Sequence, residues 1–388
     1  MGATVTPMRV AVVTESFPPD LNGVAHSVVR VAEHLVARGH EPLVIAPAPA
    51  AASRTAVERH PYPVVRVPSL PVPVYRSFRL GLPSRRLTEV LTDHAPDVVH
   101  LASPFVLGAR GLTVARRLRM PTLAVYQTDV AAYARAYHLG WSVATVWRWL
   151  REIHNAADRT LAPSTAAAAD LTANGIERVR IWGRGIDPVR FDPAHRCEST
   201  RRSLAPDGEV LVGYVGRLAA EKRVDLLAET SRLPGVRVVV VGDGPARREL
   251  ERALPAVRFL GARHGADLAR LYASLDVFAH TGPHETFGQT VQEAQASGVP
   301  VIVPAAGGPI DLVAPDVTGL LVPPGDGAAL AAAVADLVAD PARRSRLGRA
   351  ARAALAGRTW AAIGDELIEH YRAVQDCPGV VARLPVAA

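Results

Sequence analysis

The sequence predicts an α/β protein with two doubly wound parallel-sheet domains, and three observations carry the prediction. Short runs rich in Val, Ile and Leu alternate with longer helical patterns along the chain. Those runs are apolar almost end to end, as strands covered on both faces must be. The alternation occurs twice in 388 residues, long enough for two separate cores.

In the first half, strands are expected at Arg9–Thr14, Pro42–Ala46, Val64–Val67, Val98–Leu101, Thr122–Tyr126 and Arg159–Ala162. The stretches between them, such as Val24–Arg38, Arg85–His94 and Gly108–Arg119, carry apolar residues at helical spacing. In the second half, strands are expected at Val210–Val215, Arg237–Val241, Val257–Leu260, Val277–His280, Val299–Val303 and Gly319–Val322. Gly183–Pro193 has Gly, Pro and no periodicity, and is the expected seam. It divides an N-terminal domain, 1–186, from a C-terminal domain, 187–358. His195–Gly208 reads as a polar connection, and the Ala- and Arg-rich Gly327–Leu355 as surface helices. A last helix is expected over 359–376, followed by a frayed tail, 377–388.

Apolar residues make up 49% of the chain, which excludes a disordered protein. No apolar run approaches the roughly 18–20 residues that span a bilayer. The first run, Val10–Val13, reads as a buried strand, not a signal peptide. Cys197 and Cys377 show no metal or redox spacing, so reduced thiols in the cytosol are expected. Residues 1–190 hold 22 Arg against 14 Asp and Glu; residues 191–388 hold 22 Lys and Arg against 23. The basic field of the first half suits an anionic surface. No aromatics interleave with the Arg residues and no nucleic-acid motif is present, so a membrane surface is expected rather than nucleic acid.

Facing sheets of this kind bind ligands at the carboxyl ends of their strands, so the chemistry should sit on the loops there. After the first strand, Asn22-Gly23 precedes a helix whose N-terminal amides can face an anion. After Val210–Val215, the loop Gly216–Lys222 carries Arg217 and Lys222, which can converge on one diphosphate. Lys222 is the only lysine in the chain; the other 43 cationic side chains are Arg. A compact, flexible ammonium differs from a guanidinium most where it meets a phosphate or a sugar oxygen. The strongest signal is Glu285-Thr286-Phe287-Gly288-Gln289-Thr290, running on to Glu293. A helix starting near Gly288 would aim the amides of Gly288, Gln289 and Thr290 at a phosphate. Glu285 would remain in the loop to accept from sugar hydroxyls. Glu293 would stand about 7–8 Å along the helix axis, to accept from a ribose. Two carboxylates spanning a diphosphate suit a nucleotide sugar.

These segments resemble the retaining GT-B glycosyltransferases of family 4, over nearly the whole chain. The resemblance rests on Asn22-Gly23, Gly216 to Lys222, Val241-Gly242-Asp243-Gly244-Pro245, Glu285 to Glu293, Ala294–Val301 and Gly307-Gly308-Pro309. It implies that Arg217 and Lys222 bind the donor diphosphate, that Glu285 holds sugar hydroxyls near the reacting carbon, and that Glu293 holds the ribose. It places Gly23 under the donor phosphates, and the helix with Trp360 and Tyr371 across the N-terminal domain. Within the family, Glu285-Thr286-Phe287-Gly288-Gln289 looks most like actinobacterial GDP-mannose-dependent α-mannosyltransferases. Those act on lipid acceptors such as phosphatidylinositol mannosides or glucuronosyl diacylglycerol. One departure stands out. Many members have a His in the N-domain loop near the donor sugar, where this chain reads Tyr126-Gln127-Thr128-Asp129. Gln127 hydrogen-bonds but transfers no proton, and Asp129 is the charge at hand.

The expected reaction is a same-face transfer through an oxocarbenium-like transition state. Arg217, Lys222 and helix amides stabilise the leaving diphosphate, and no metal or other cofactor is expected. The acceptor should meet the N-terminal domain, where Arg76, Arg79, Arg85 and Arg86 surround Phe78, Leu80 and Leu82, on Gln127's side of the cleft. Arg110, Arg116, Arg117 and Arg119 form a second basic strip. The base pocket is expected near Ala262, Arg263 and His264, and base identity is not legible there. A UDP-sugar donor with a soluble acceptor, and a non-catalytic nucleotide-sugar binder at the membrane, remain as alternatives. A dinucleotide oxidoreductase is disfavoured, since Gly242-Asp243-Gly244 lacks the G-x-G-x-x-G spacing. The expected location is cytoplasmic, on the inner face of the cell membrane.

Overall fold

A computed structural model describes residues 6–20, 22–50, 59–72, 75–82, 84–102, 106–127 and 143–376. Among the described residues nine strands occupy the first half: β1 Arg9–Val13, β2 Glu41–Pro47, β3 Val64–Val67, β4 Ser69–Val72, β5 Tyr75–Gly81, β6 Val98–Leu101, β7 Thr122–Val125, β8 Arg159–Ala162 and β9 Val179–Ile181. Six occupy the second: β10 Val210–Val215, β11 Val236–Val241, β12 Arg258–Gly261, β13 Val277–Ala279, β14 Val301–Pro304 and β15 Gly319–Val322. One parallel sheet has the order β3-β2-β1-β6-β7-β8-β9, and the other β12-β11-β10-β13-β14-β15. Each is doubly wound. Strand order reverses between β1 and β6, and again between β10 and β13, which are the crevices where such sheets take ligands.

The cores follow from the strands' apolar runs. Val10, Val12, Val44, Val98, Leu123 and Leu161 are buried on one face of the first sheet; Ala11, Val13, Ile45, Val99 and Leu101 are buried on the other. The second sheet is covered on both faces in the same way. Twelve expected strands appear, with ends shifted by at most two residues.

Several features differ from the sequence reading. His195–Gly208 is no plain connection: it holds the helix Glu198–Leu204, anchored by the buried Leu204. Gly327–Leu355 is helical as expected, in two helices, Gly327–Ala339 and Pro341–Ala354, whose inner faces bury Leu330, Val334, Leu337 and Leu347. An antiparallel hairpin, β4–β5, stands apart from both sheets. The final helix, Trp360–Asp376, does not differ: it lies within the expected 359–376 and packs on the first sheet's domain, with Ile363, Leu367, Ile368, Tyr371 and Val374 in its core. The chain passes between the domains twice, and the passes lie side by side: Ile186 N donates to Arg358 O at 2.9 Å.

Candidate active site

The loops at the two switch points meet. From β10 the chain enters Gly216–Lys222, which ends in a single 3-10 turn, Ala220–Lys222. Glycines let this loop lie against its neighbour after β11. A Cβ on Gly242 would stand 1.9 Å from Gly216 O, and one on Gly244 2.2 Å from Leu218 O. Thr281, just after β13, donates to Lys222 O at 2.6 Å and ties that turn to the next loop.

Within this frame Lys222 Nζ donates to Glu285 Oε1 at 2.5 Å. Both side chains are partly buried. Burial opposes ionisation of Glu285, but the charge of Lys222, with weaker help from the region of His280 and Arg184, holds the carboxyl below its usual range. Arg217 Nη1 lies 3.7 Å from Glu221 Oε1, a buried carboxylate. The aromatic ring of Tyr214 stacks on His280, with centroids 6.4 Å apart and planes 10° from parallel.

The 285 loop is pinned from below by Gly307 and Gly308. Gly308 N donates to Glu285 O at 2.7 Å. Gly288, at φ 99°, turns the chain into the helix Gln289–Ala296. Thr290 lies in the first turn of that helix, so the backbone amides of Gly288, Gln289 and Thr290 stand at its N-terminal end. Phe287 is buried in the core below it. Glu293 is partly buried further along the same helix, and burial pushes its carboxyl up to about 7.

The opposite wall comes from the first domain. Asn22 caps its helix, accepting from Val24 N and Ala25 N at 3.0 Å each, and Gly23 is the first helical residue. Gln127 is buried and held at both ends. Its Nε2 donates to Ala102 O at 2.9 Å, and its Oε1 accepts from Arg184 Nη2 at 2.9 Å. Arg184 Nη1 donates to Gly23 O at 2.9 Å. Thr286 Oγ1 donates to Gln127 O at 3.1 Å and joins the two walls.

The structure thus brings Lys222, Glu285, Thr286, Gly23 and Gln127 to one seam, with Gly216 and Arg217 on the adjoining loop. Arg263 is exposed in the loop after β12. Arg79 is not displayed as expected: its guanidinium donates to Ala48 O, Ser69 O and Ser69 Oγ. Arg85 and Arg86 are exposed at a helix start. Asp129 and the side chains of Arg76 and Phe78 lie outside the described residues. The sequence reading missed Arg184, His280 and Tyr214. For Arg184 the one local signal was its place between Gly183 and Gly185 in the aperiodic seam.

Two Rossmann-like domains, meeting at a seam lined with fixed cations, carboxylates and glycine turns, define the class as two-domain, GT-B glycosyltransferases. Residues 196–354 match the glycosyl transferases group 1 family, and residues 21–190 match Glycosyltransferase Family 4. A GDP-mannose-dependent alpha-mannosyltransferase of Mycobacterium tuberculosis (strain CDC 1551 / Oshkosh) is 51% identical, over 95% of this chain and 97% of its own. A protein of the same description from Mycolicibacterium smegmatis (strain ATCC 700084 / mc(2)155) is 52% identical, over 95% and 98%. In fold, the chain resembles Anabaena HepE solved with UDP and glucose, with TM-score 0.77 and 24% identity over 94% of this chain and 99% of that one. The chain belongs to glycosyltransferase family 4, and it is an enzyme of glycosyl transfer.

Proposed function

We propose that this chain transfers mannose from GDP-mannose to a membrane lipid or glycolipid acceptor, of the phosphatidylinositol mannoside or glucuronosyl diacylglycerol type, with retention at the reacting carbon. The observation that carries the donor is the 51–52% identity, over 95% of the chain, to two GDP-mannose-dependent relatives. In this reading Arg217, Lys222 and the amides of Gly288, Gln289 and Thr290 take the diphosphate. Gly216 and Gly23 leave room for it, Glu285 accepts from mannose hydroxyls, Glu293 accepts from the ribose, and Arg263 lies toward the base. The groups around the diphosphate stabilise the charge that grows as the sugar–phosphate bond breaks. A donor phosphate oxygen then takes the acceptor hydroxyl's proton on the same face.

For the acceptor, the support is the first domain's surface. Exposed Leu70, Leu82 and Val106 lie near exposed Arg85 and Arg86. Gly81 and Leu107 are in contact, which brings the hairpin end to the helix Val106–Arg117. Among the described residues no helix is long and apolar enough to cross a membrane. Peripheral contact with an anionic inner leaflet fits such a surface.

Calorimetric titration with GDP, UDP and ADP, without added metal, tests the donor. Tight binding of GDP alone is expected. Preference for UDP would move the donor to another sugar nucleotide, and no binding at all would overturn the site. Binding to anionic vesicles should weaken as salt rises; indifference to salt and to lipid charge would remove the membrane reading.

A further inference from the structure

Glu285 is faced by polar groups from four places in the fold. Lys222 reaches Oε1 from the turn after β10, and His280 Nε2 stands 3.9 Å from the same oxygen after β13. Arg184, from the interdomain segment, donates to Gln127 Oε1, and Gln127 O takes Thr286 Oγ1, from the residue next to Glu285; Tyr214, from β10, stacks on His280. Only Lys222 bonds it directly among these. In the proposed reaction Lys222 serves the diphosphate, and the lysine's four-carbon stem is flexible enough to turn there. Glu285 then needs another counter-charge if it is to remain a carboxylate.

His280 does not supply one. It is 2% exposed, and burial first, with Lys222 adding to it, holds the imidazole down at about 4 against the pull of Glu285. Tyr214 is buried and neutral, its hydroxyl pushed up by burial. Arg184 is different. Burial pulls it down only to about 10, so it remains a cation at neutral pH. Its position is fixed by Gly23 O and Gln127 Oε1, at 2.9 Å each. It cannot follow the diphosphate as a lysine can. The lack of a side chain at Gly23 keeps the place open: a Cβ there would stand 3.0 Å from Nη1.

We propose that Arg184 is a positioning residue, a fixed cation beside the 285 loop that keeps Glu285 a carboxylate when Lys222 turns to the donor diphosphate. Resting on the reading of Glu285 as the acceptor for mannose hydroxyls, this divides two tasks between two cations. Lys222 moves with the substrate, and Arg184 stays with the carboxylate.

The test follows GDP release from GDP-mannose across acid and neutral pH, with glucuronosyl diacylglycerol micelles and with water alone as acceptor. Wild type, Arg184→Gln, Arg184→Lys and Gln127→Glu are compared. In Arg184→Gln, the acid limb of the kcat profile should move up by about one pH unit, so that kcat on that limb falls up to about tenfold, with kcat near neutrality and KM for GDP-mannose less affected. Arg184→Lys should restore much of the limb. Gln127→Glu keeps Arg184 but sets a carboxylate against it; it should move the limb the same way, even where Arg184→Gln does not fold. An unmoved acid limb in the folded variants, whatever the loss of rate, would mean that Arg184 only packs the seam, and would overturn the proposal. Wild-type kcat in Glu285→Gln would instead overturn the reading of Glu285, and absence of turnover with GDP-mannose would overturn the donor.

Discussion

Lys222 and Glu285 hold each other at 2.5 Å, so a donor that uses both must part them. This makes the choice of lysine a matter of geometry as well as charge. A guanidinium fork in its place would pair with the carboxylate in two bonds and yield less readily to a phosphate. Lys222→Arg should therefore lower kcat by about tenfold or more, and Lys222→Ala by about 100-fold, as loss of a preorganised charge does elsewhere. The urea midpoint should move little in Lys222→Arg, which keeps a cation beside Glu285, and more in Lys222→Ala, which leaves a largely buried carboxylate without its direct partner. Full activity in Lys222→Arg would sink the argument from the single lysine. Glu293 gives a second prediction. Burial raises its carboxyl from 4.5 to about 7, so between those values the folded chain holds a proton that the unfolded chain has lost. Its contribution to stability therefore falls as pH rises through that window. In the proposed reading ribose hydroxyls would donate to the ionised form of Glu293, so GDP binding at about pH 6 should release a proton, and affinity should rise toward neutrality. Calorimetry in two buffers of different ionisation enthalpy reads this directly; heats that do not depend on the buffer would contradict it.

The elements explain why so few residues place the site so firmly. The 285 loop rests on Gly308, where a Cβ would come 2.5 Å from Thr286 O and 2.5 Å from Phe287 Cα. Both are backbone atoms and cannot swing aside. Gly308→Ala should then cost about 1–3 kcal/mol in stability and displace Glu285, so kcat should fall with it. Thermal unfolding and initial rates check this, and an unchanged variant would show that the loop adjusts. The helix Gln289–Ala296 also grips the interdomain segment: Gln292 Nε2 donates to Arg184 O at 3.1 Å, and Gln289 Nε2 to Gly185 O at 3.3 Å. Here lies the limit of reading from sequence. The long apolar strands announced themselves, because burial on both faces leaves no room for polar residues. The hairpin β4–β5 did not, since Pro71 interrupts its pattern and Leu70 faces out. Strand β9, three residues with an exposed Arg180, was too short to show a period. The helix Glu198–Leu204 buries one residue, and so showed no stripe. Lys222 and Glu285 could each be singled out because each sits in a distinctive loop, but their contact is a product of the fold. Arg184 was not, because its meaning depends on Gly23, Gln127 and Glu285, which only the fold brings to it.

At the scale of the molecule, the last helix decides whether the first domain has a complete core. Trp360–Asp376 follows the second sheet's domain in the chain, yet packs on the first. Tyr371 Oη lies 2.6 Å from His100 Nδ1, both buried, and Trp182 Nε1 donates to Ile363 O at 2.9 Å. Gly364 admits the ring of His34, against which a Cβ would stand 2.3 Å away, and Asp365 takes His34 Nε2 at 2.9 Å and Arg38 Nη2 at 2.5 Å. We propose on this ground that 359–376 belongs structurally with residues 1–186, and that 187–358 is the inserted nucleotide-side domain. Each of the five apolar side chains buried from this helix is worth about 1.5–3 kcal/mol. Together they are of the order of a whole domain's net stability, about 5–15 kcal/mol. A chain ending at Thr359 should therefore lose cooperative unfolding of its first domain, read as loss of near-ultraviolet circular dichroism and early proteolysis within 1–186. Tyr371→Phe is the milder probe. It removes one buried hydroxyl and strands the His100 nitrogen, which should cost about 1–3 kcal/mol without loss of fold. A truncated chain that melts in one step at the wild-type temperature would show instead that the first domain closes its own core, and that the returning helix only sets how the two domains face each other.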